Sequence, residues 1–321
     1  AQPGTVDGDL RRPPRFASAA GSGVGAVISF SQFLADLSNP ALAFLPKALL
    51  VAVLSALVCG VIGTHVVLRG MAFIGDAVAH AVFPGLAIAF ALQFSVIAGG
   101  AVAGAVVALL IALFSQRRRV KEDTVIGIFF AAAFALGLVV ISKVQGYTAS
   151  LNSFLFGSIT GVSNSDIIFS AVVGAIVILA VAALHKEIVA VSVDRETAAA
   201  MGIRVLLIDI VLYLAVTAAV VMSVRTVGNI LVLALLITPA ATARLWTDRL
   251  VVMMSLSAVI GMVGSFVGVY VSWAIDVPTG ATIVLVLTVV FLFSFFVATP
   301  IRAAKQSNKP SQVVATNAEQ A

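Results

Sequence analysis

Nine apolar stretches, most close to twenty residues long and parted by short charged joints, constrain this chain more than any single motif. They run at 42–68, 71–92, 96–115, 124–142, 167–184, 205–223, 226–243, 250–274 and 280–299. A helix needs about 20 apolar residues to cross roughly 30 Å of hydrocarbon, and it satisfies its own backbone hydrogen bonds there. Of 321 residues, 61% are hydrophobic and 10% charged, with a mean hydropathy of +1.15. A soluble domain carries about 25% charged residues, so a soluble enzyme is excluded. The expected fold is all-α and polytopic, with about 8–9 transmembrane helices and nine as the best count.

The charges give the orientation. Alternating the spans puts Arg69, Arg117, Arg118, Arg119, Lys121, Lys186, Arg195, Arg204, Arg244, Arg249, Arg302, Lys305 and Lys309 on one side. Only Lys47, Lys143 and Arg225 fall on or near the other, apart from the N-terminal tail. Basic residues collect in cytoplasmic loops, so the first side is inside and the C-terminus is cytoplasmic. The net charge of +5 therefore needs no nucleic acid as partner. The lone Cys59 allows no internal disulfide.

Three regions follow. Residues 1–20, with Arg11, Arg12, Pro13, Pro14 and Arg15, read as a flexible tail without a recognisable secretory signal. Residues 21–300 form the membrane domain. Within it, 24–38 is apolar but short and holds Asp36, which suits an interfacial or re-entrant helix. Residues 301–321 are polar, lack periodicity and are expected to be disordered. Pro84 and Pro239 should kink or break their helices. Two small-residue pairs, Gly100 with Gly104 and Gly264 with Gly268, permit close helix contact, either within the subunit or across a dimer.

Inside the membrane one pair of ionisable residues stands out. Asp76 and His80 are four residues apart, so they share a helical face. Counted from Arg69 at the inner face, Asp76 would lie about 10 Å deep and His80 about 15 Å deep. A charged carboxylate at mid-depth costs about 2.5–3.5 kcal/mol on insertion scales, and no hydrophobic pattern requires it. Carboxylate and imidazole together suit Mn²⁺, Zn²⁺ or Fe²⁺, and a two-fold dimer would bring four such ligands to its axis. The competing readings are a hydrogen-bonded pair that locks helices together and a proton relay. His65 reads as a wet structural histidine and His185 as solvated. Asp276 is read as shaping a turn, and Asp209 and Arg225 as interfacial.

The longest inner loop holds Asp194-Arg195-Glu196-Thr-Ala198-Ala-Ala-Met-Gly202. Asp194 is a fitting N-cap, Glu196 suits the first turn and Gly202 the end. This predicts a short cytoplasmic helix over about 192–203, either a docking element or a plain connector. No Gly-x-x-x-x-Gly-Lys-Ser/Thr loop occurs, so the chain does not bind ATP in that manner. No nucleophile–base arrangement gives reason to expect an enzyme.

Several segments, in order from about residue 40 to 300, resemble manganese/zinc/iron ABC importer permeases. They are Val67-Leu-Arg69 through Asp76 and His80 to Pro84-Gly85, Asp123-Thr-Val-Ile-Gly-Ile-Phe-Phe, Leu155-Phe-Gly157-Ser-Ile, Asp194 to Ile203, and Leu236-Ile-Thr-Pro239-Ala-Ala-Thr-Ala-Arg244-Leu. Gly70 and Asn229 depart from that pattern, a second basic residue and a small or apolar one being usual there. The resemblance implies a permease domain in the cell membrane, built as a homodimer. It also implies two cytoplasmic ATPase subunits that hold the ATP, and an extracytoplasmic metal-binding protein. Asp76 and His80 would be the metal path for Mn²⁺, Zn²⁺ or Fe²⁺, with no permanently bound cofactor. Asp194, Arg195, Glu196, Ala198 and Gly202 would form the coupling helix against the ATPase. Two alternatives are a permease for a cobalamin- or siderophore-type chelate and a proton-coupled secondary transporter.

Overall fold

A backbone in lipid has no solvent to bond with, so each apolar stretch must close its own hydrogen bonds as a helix. The computed structural model describes residues 28–116, 120–143 and 161–307, all helix and connection without a strand among them. Twelve α-helices follow one another: α1 (Phe30–Leu37), α2 (Phe44–Leu68), α3 (Ile74–Ala91), α4 (Val96–Phe114), α5 (Glu122–Lys143), α6 (Asn164–Ala183), α7 (His185–Val193), α8 (Arg195–Ala200), α9 (Val205–Val227), α10 (Asn229–Trp246), α11 (Leu250–Ile275) and α12 (Thr279–Ser307). Seven are long and apolar enough to cross a membrane, and α3 and α10 are shorter apolar helices at the second and seventh expected spans. The chain is thus a polytopic, all-α, multi-pass membrane protein.

Of those seven, α2 and α9 are the most enclosed, with 67% and 61% of their apolar windows buried against 22–33% for the rest. They form the centre. Helix α2 packs on α11, α10, α6 and α9, while α9 packs on α4, α6 and α3. The remaining large contacts join α3 to α4 and α5, α12 to α10 and α11, and α10 to α11. Two mid-helix threonine hydroxyls bond to the preceding turn. Thr64 donates to the Gly60 carbonyl at 3.0 Å and Thr217 to that of Tyr213 at 2.9 Å.

Local chemistry ends the helices. Gly70 sits at φ +70°; its N–H donates to Val67 O and that of Met71 to Val66 O, the paired bonds of a Schellman motif. A β-carbon is strained at this φ, which favours glycine here. Gly202, at φ +83°, closes α8 with the same two bonds to Ala199 and Ala198. Asp276 lies at φ +52° and ends α11, as the turn reading expected.

Some expectations are corrected. Pro84 and Pro239 lie inside helices that continue through them, so neither breaks its helix. Both small-residue pairs serve packing within the subunit. Gly100 meets Val82 and Leu86, Gly104 meets Thr217, Gly264 meets Leu287 and Gly268 meets Ile283. Helix α12 runs to Ser307, seven residues beyond the expected boundary at Pro300. The short helix α1 spans eight residues, about 12 Å, and does not cross. Phe33 anchors it against Phe266 and Tyr270 of α11, and Trp273 donates to Asp36 at 2.9 Å. The tail 1–20, the arginines 117–119, the Leu155–Ile159 motif and Lys309 lie outside the described residues, as do the side chains of Arg225, Asn229, Arg302 and Lys305.

Candidate functional site

Helix α3 begins at Ile74, so Asp76 falls in its first turn rather than about 10 Å into a helix starting at Arg69. The positive end of the helix dipole favours a carboxylate there. His80 follows one turn later. Its Nδ1 lies 3.2 Å from Asp76 Oδ1 and 3.0 Å from the Asp76 carbonyl oxygen. The other face of α3 is closed, with Ala77, Val78, Ala79, Ala81 and Val82 all buried. The pair itself keeps 27% (Asp76) and 22% (His80) of its side-chain surface accessible. It is neither sealed in the bundle nor fully exposed.

Two aromatic rings of α5 set the orientation of the imidazole. Phe130 and Phe134 meet His80 edge-on at centroid distances of 4.9 and 5.2 Å, and stack on each other at 6.3 Å. Edge-to-face contact fixes the ring plane at modest energetic gain. Nothing in the spacing of Asp76 and His80 announces these phenylalanines. Among the described residues no group of three or more His, Cys, Asp or Glu side chains could hold a metal ion. On α3 the described side chains bring together one carboxylate and one imidazole, Asp76 and His80.

The inner loop folds as two helices rather than one over 192–203. Helix α7 stops at Val193, Asp194 is extended, and α8 covers only Arg195–Ala200. Asp194 caps α8, accepting from the Glu196 N–H at 2.9 Å and the Thr197 hydroxyl at 2.5 Å. Glu196 and Gly202 are exposed, whereas Ala198 is buried and seats the helix. Val193 and Met201, flanking α8, are 82% and 71% exposed.

A second polar cluster lies behind α8, and sequence reasoning missed it. Asp209 is fully buried rather than interfacial. It accepts from Arg69 Nη1 at 2.7 Å, from Gln116 Nε2 at 3.0 Å and from Arg195 Nη2 in a short ion pair. Arg195 Nη1 also reaches Glu122 at 3.4 Å, and the Tyr213 hydroxyl donates to Glu122. Arg69 Nε donates to Ser192 at 2.9 Å. Two arginines and two carboxylates balance, which is how buried charge is tolerated. The only available signal was a charged residue, Asp209, just inside an apolar run. His65 is corrected as well: it is buried, 1% exposed, and its ring meets that of His185 at 6.0 Å.

The fold is that of a polytopic all-α membrane protein with a partly accessible carboxylate–imidazole pair on α3. The chain belongs to the ABC 3 transport family, which matches residues 41–298. It is 42% identical over 253 residues to the manganese transport system membrane protein MntC of Halalkalibacterium halodurans, covering 79% of this chain and 87% of that protein. It is 34% identical over 255 residues to the chelated iron transport system membrane protein YfeC of Yersinia pestis, covering 79% of this chain and 86% of the other. Among solved structures it is similar to PsaBC from Streptococcus pneumoniae in complex with Fab. There the TM-score is 0.77 at 35% identity, over 87% of this chain and all of that one.

Proposed function

We propose that this chain is the permease subunit of an ATP-driven importer of divalent transition metal ions, manganese or iron foremost, and that the ion passes Asp76 and His80. The observation that carries the reading is the pair itself. A carboxylate and an imidazole touch at 3.2 Å and stay a quarter accessible on a helix otherwise packed with apolar side chains. Intramembrane ionisable groups are retained for function. One subunit supplies two ligands, so a two-fold homodimer would present two carboxylates and two imidazoles to an ion at the junction. The name of the relative MntC, a manganese transport protein, supports this cargo class; that of YfeC, a chelated iron transport protein, supports iron as the metal but names it as a chelate.

The chain makes no ATP contact of its own in this reading. Two ATPase subunits would dock at Asp194, Arg195, Glu196, Ala198 and Gly202, where the exposed Val193 and Met201 offer an apolar footing. An extracytoplasmic binding protein would deliver the ion from the opposite face, with the C-terminus in the cytoplasm of a cell-membrane protein. A bulky chelate needs a wide cavity and little direct ligation, which a touching Asp–His pair does not serve.

The test is uptake of radiolabelled Mn²⁺ and Fe²⁺ by cells carrying Asp76→Ala/His80→Ala. Uptake should be lost while the permease still co-purifies with its ATPase. Normal uptake in that variant removes the path assignment, and uptake that competes only with metal chelates redirects the cargo.

A further inference from the structure

Four charged side chains from four separate segments converge on the inner face. Asp209 of α9, fully buried, is the acceptor at the centre. Arg195, the first residue of α8, contacts both Asp209 and Glu122. Glu122 is the first residue of α5, and two and three turns further along that helix Phe130 and Phe134 hold the His80 ring. Arg69 caps α2 in the tight turn that leads into α3 and Asp76. Tyr213 bridges the two sides, its hydroxyl lying on Glu122 and 3.5 Å from Met71 Sδ.

We propose that Asp209 is a positioning residue that ties the cytoplasmic helix α8 to the start of α5 and to the turn between α2 and α3, so that displacement of α8 by a cytoplasmic partner is passed to α3 and α5 together. The inference rests on the reading of α8 as the ATPase contact. Its physical basis is the cost of separating buried charge. Arg69 has only 4% of its side chain accessible and Asp209 none, so drawing Arg195 away would strand charge that nothing apolar can compensate. The cluster must therefore travel with α8 or switch to a second set of partners.

Room for such movement exists. A cavity of about 640 Å³ opens beside the cluster, lined by Arg69, Gln116, Glu122, Ser192, Asp194 and Arg195 among others. Arg69 Nη2 is buried without a hydrogen-bond partner among the described residues, leaving one donor for an alternative arrangement. Packed interfaces that carry two discrete arrangements are the elements that transmit motion between sites.

The experiment is a proteoliposome assay on the complete complex of permease, ATPase and binding protein, counting Mn²⁺ moved and ATP hydrolysed in the same vesicles. In Asp209→Asn the carboxamide keeps the shape and loses the charge. Hydrolysis should persist while Mn²⁺ moved per ATP falls about tenfold, a usual size for coupling between sites. If the ratio stays within about twofold of the wild type, or if hydrolysis and transport fall in proportion, the coupling role is overturned. Should Asp209→Asn fail to accumulate, Glu122→Gln and the charge-balanced Arg69→Gln/Asp209→Asn double variant put the same question. Asp76→Ala/His80→Ala in parallel separates the two readings. Normal transport there sinks the metal path, whereas the Mn²⁺-to-ATP ratio of the cluster variants decides the positioning role.

Discussion

Gly63 is the position where one added carbon should do the most damage. A β-carbon built there would stand 1.8 Å from the Leu236 carbonyl oxygen and 2.8 Å from its carbon, both backbone atoms of α10. Real β-carbons essentially never approach under 3.0 Å, so α2 and α10 would have to part by about 1.2 Å. The same stretch of α2 has Gly60 against the Ala258 backbone of α11, so no open side is left for relief. A radial gap of 0.5–1 Å already forfeits roughly a quarter to a half of each dispersion contact. Between helices in a membrane, packing is the main attraction. Gly63→Ala should therefore cost about 3 kcal/mol or more, the upper end of overpacking effects. At roughly 2–4 °C per kcal/mol that lowers the melting temperature by about 6–12 °C. Thermal unfolding of the purified permease in detergent at a fixed scan rate measures it. Gly127→Ala is the control, because nothing lies within 4 Å of its β-carbon. It should melt with the wild type or slightly above, since alanine favours helix by about 0.5–1 kcal/mol. If the two variants melt together, the close crossing of α2 and α10 is refuted.

Other outcomes can be measured directly. Asp194→Ala removes the cap of α8 and should cost about 1 kcal/mol locally. Its expected signature is faster hydrogen exchange confined to 194–202 and weaker co-purification with the ATPase; unchanged exchange there would contradict the capping role. Phe130→Ala/Phe134→Ala frees the His80 ring without touching a ligand atom. Mn²⁺ uptake should then lose affinity, with KM rising more than the maximal rate falls, and an unaltered KM would show that the rings do not orient the imidazole.

The sequence by itself determined whatever depends on neighbours along the chain. Lipid forces each long apolar run to close its own hydrogen bonds, so each of the nine runs was legible as a helix among the described residues, seven of them long enough to cross a membrane and the two shorter ones carrying Pro84 and Pro239. A spacing of four residues places Asp76 beside His80 in any helix, and Asp194 and Gly202 marked the ends of α8 through cap chemistry. The tertiary structure decided what depends on distant partners. Asp209 read as interfacial because Arg69, 140 residues away, is invisible from its own segment, yet that guanidinium is what permits the carboxylate to be buried. His65 looked wet for the same reason, its burial being set by packing across α2 and α7. The glycine pairs could serve either side of a helix until Val82, Leu86, Thr217, Ile283 and Leu287 were found against them. Hydrogen bonding and insertion are local and periodic, whereas charge compensation and shape fit are pairwise between remote residues, and only the folded chain brings those pairs together.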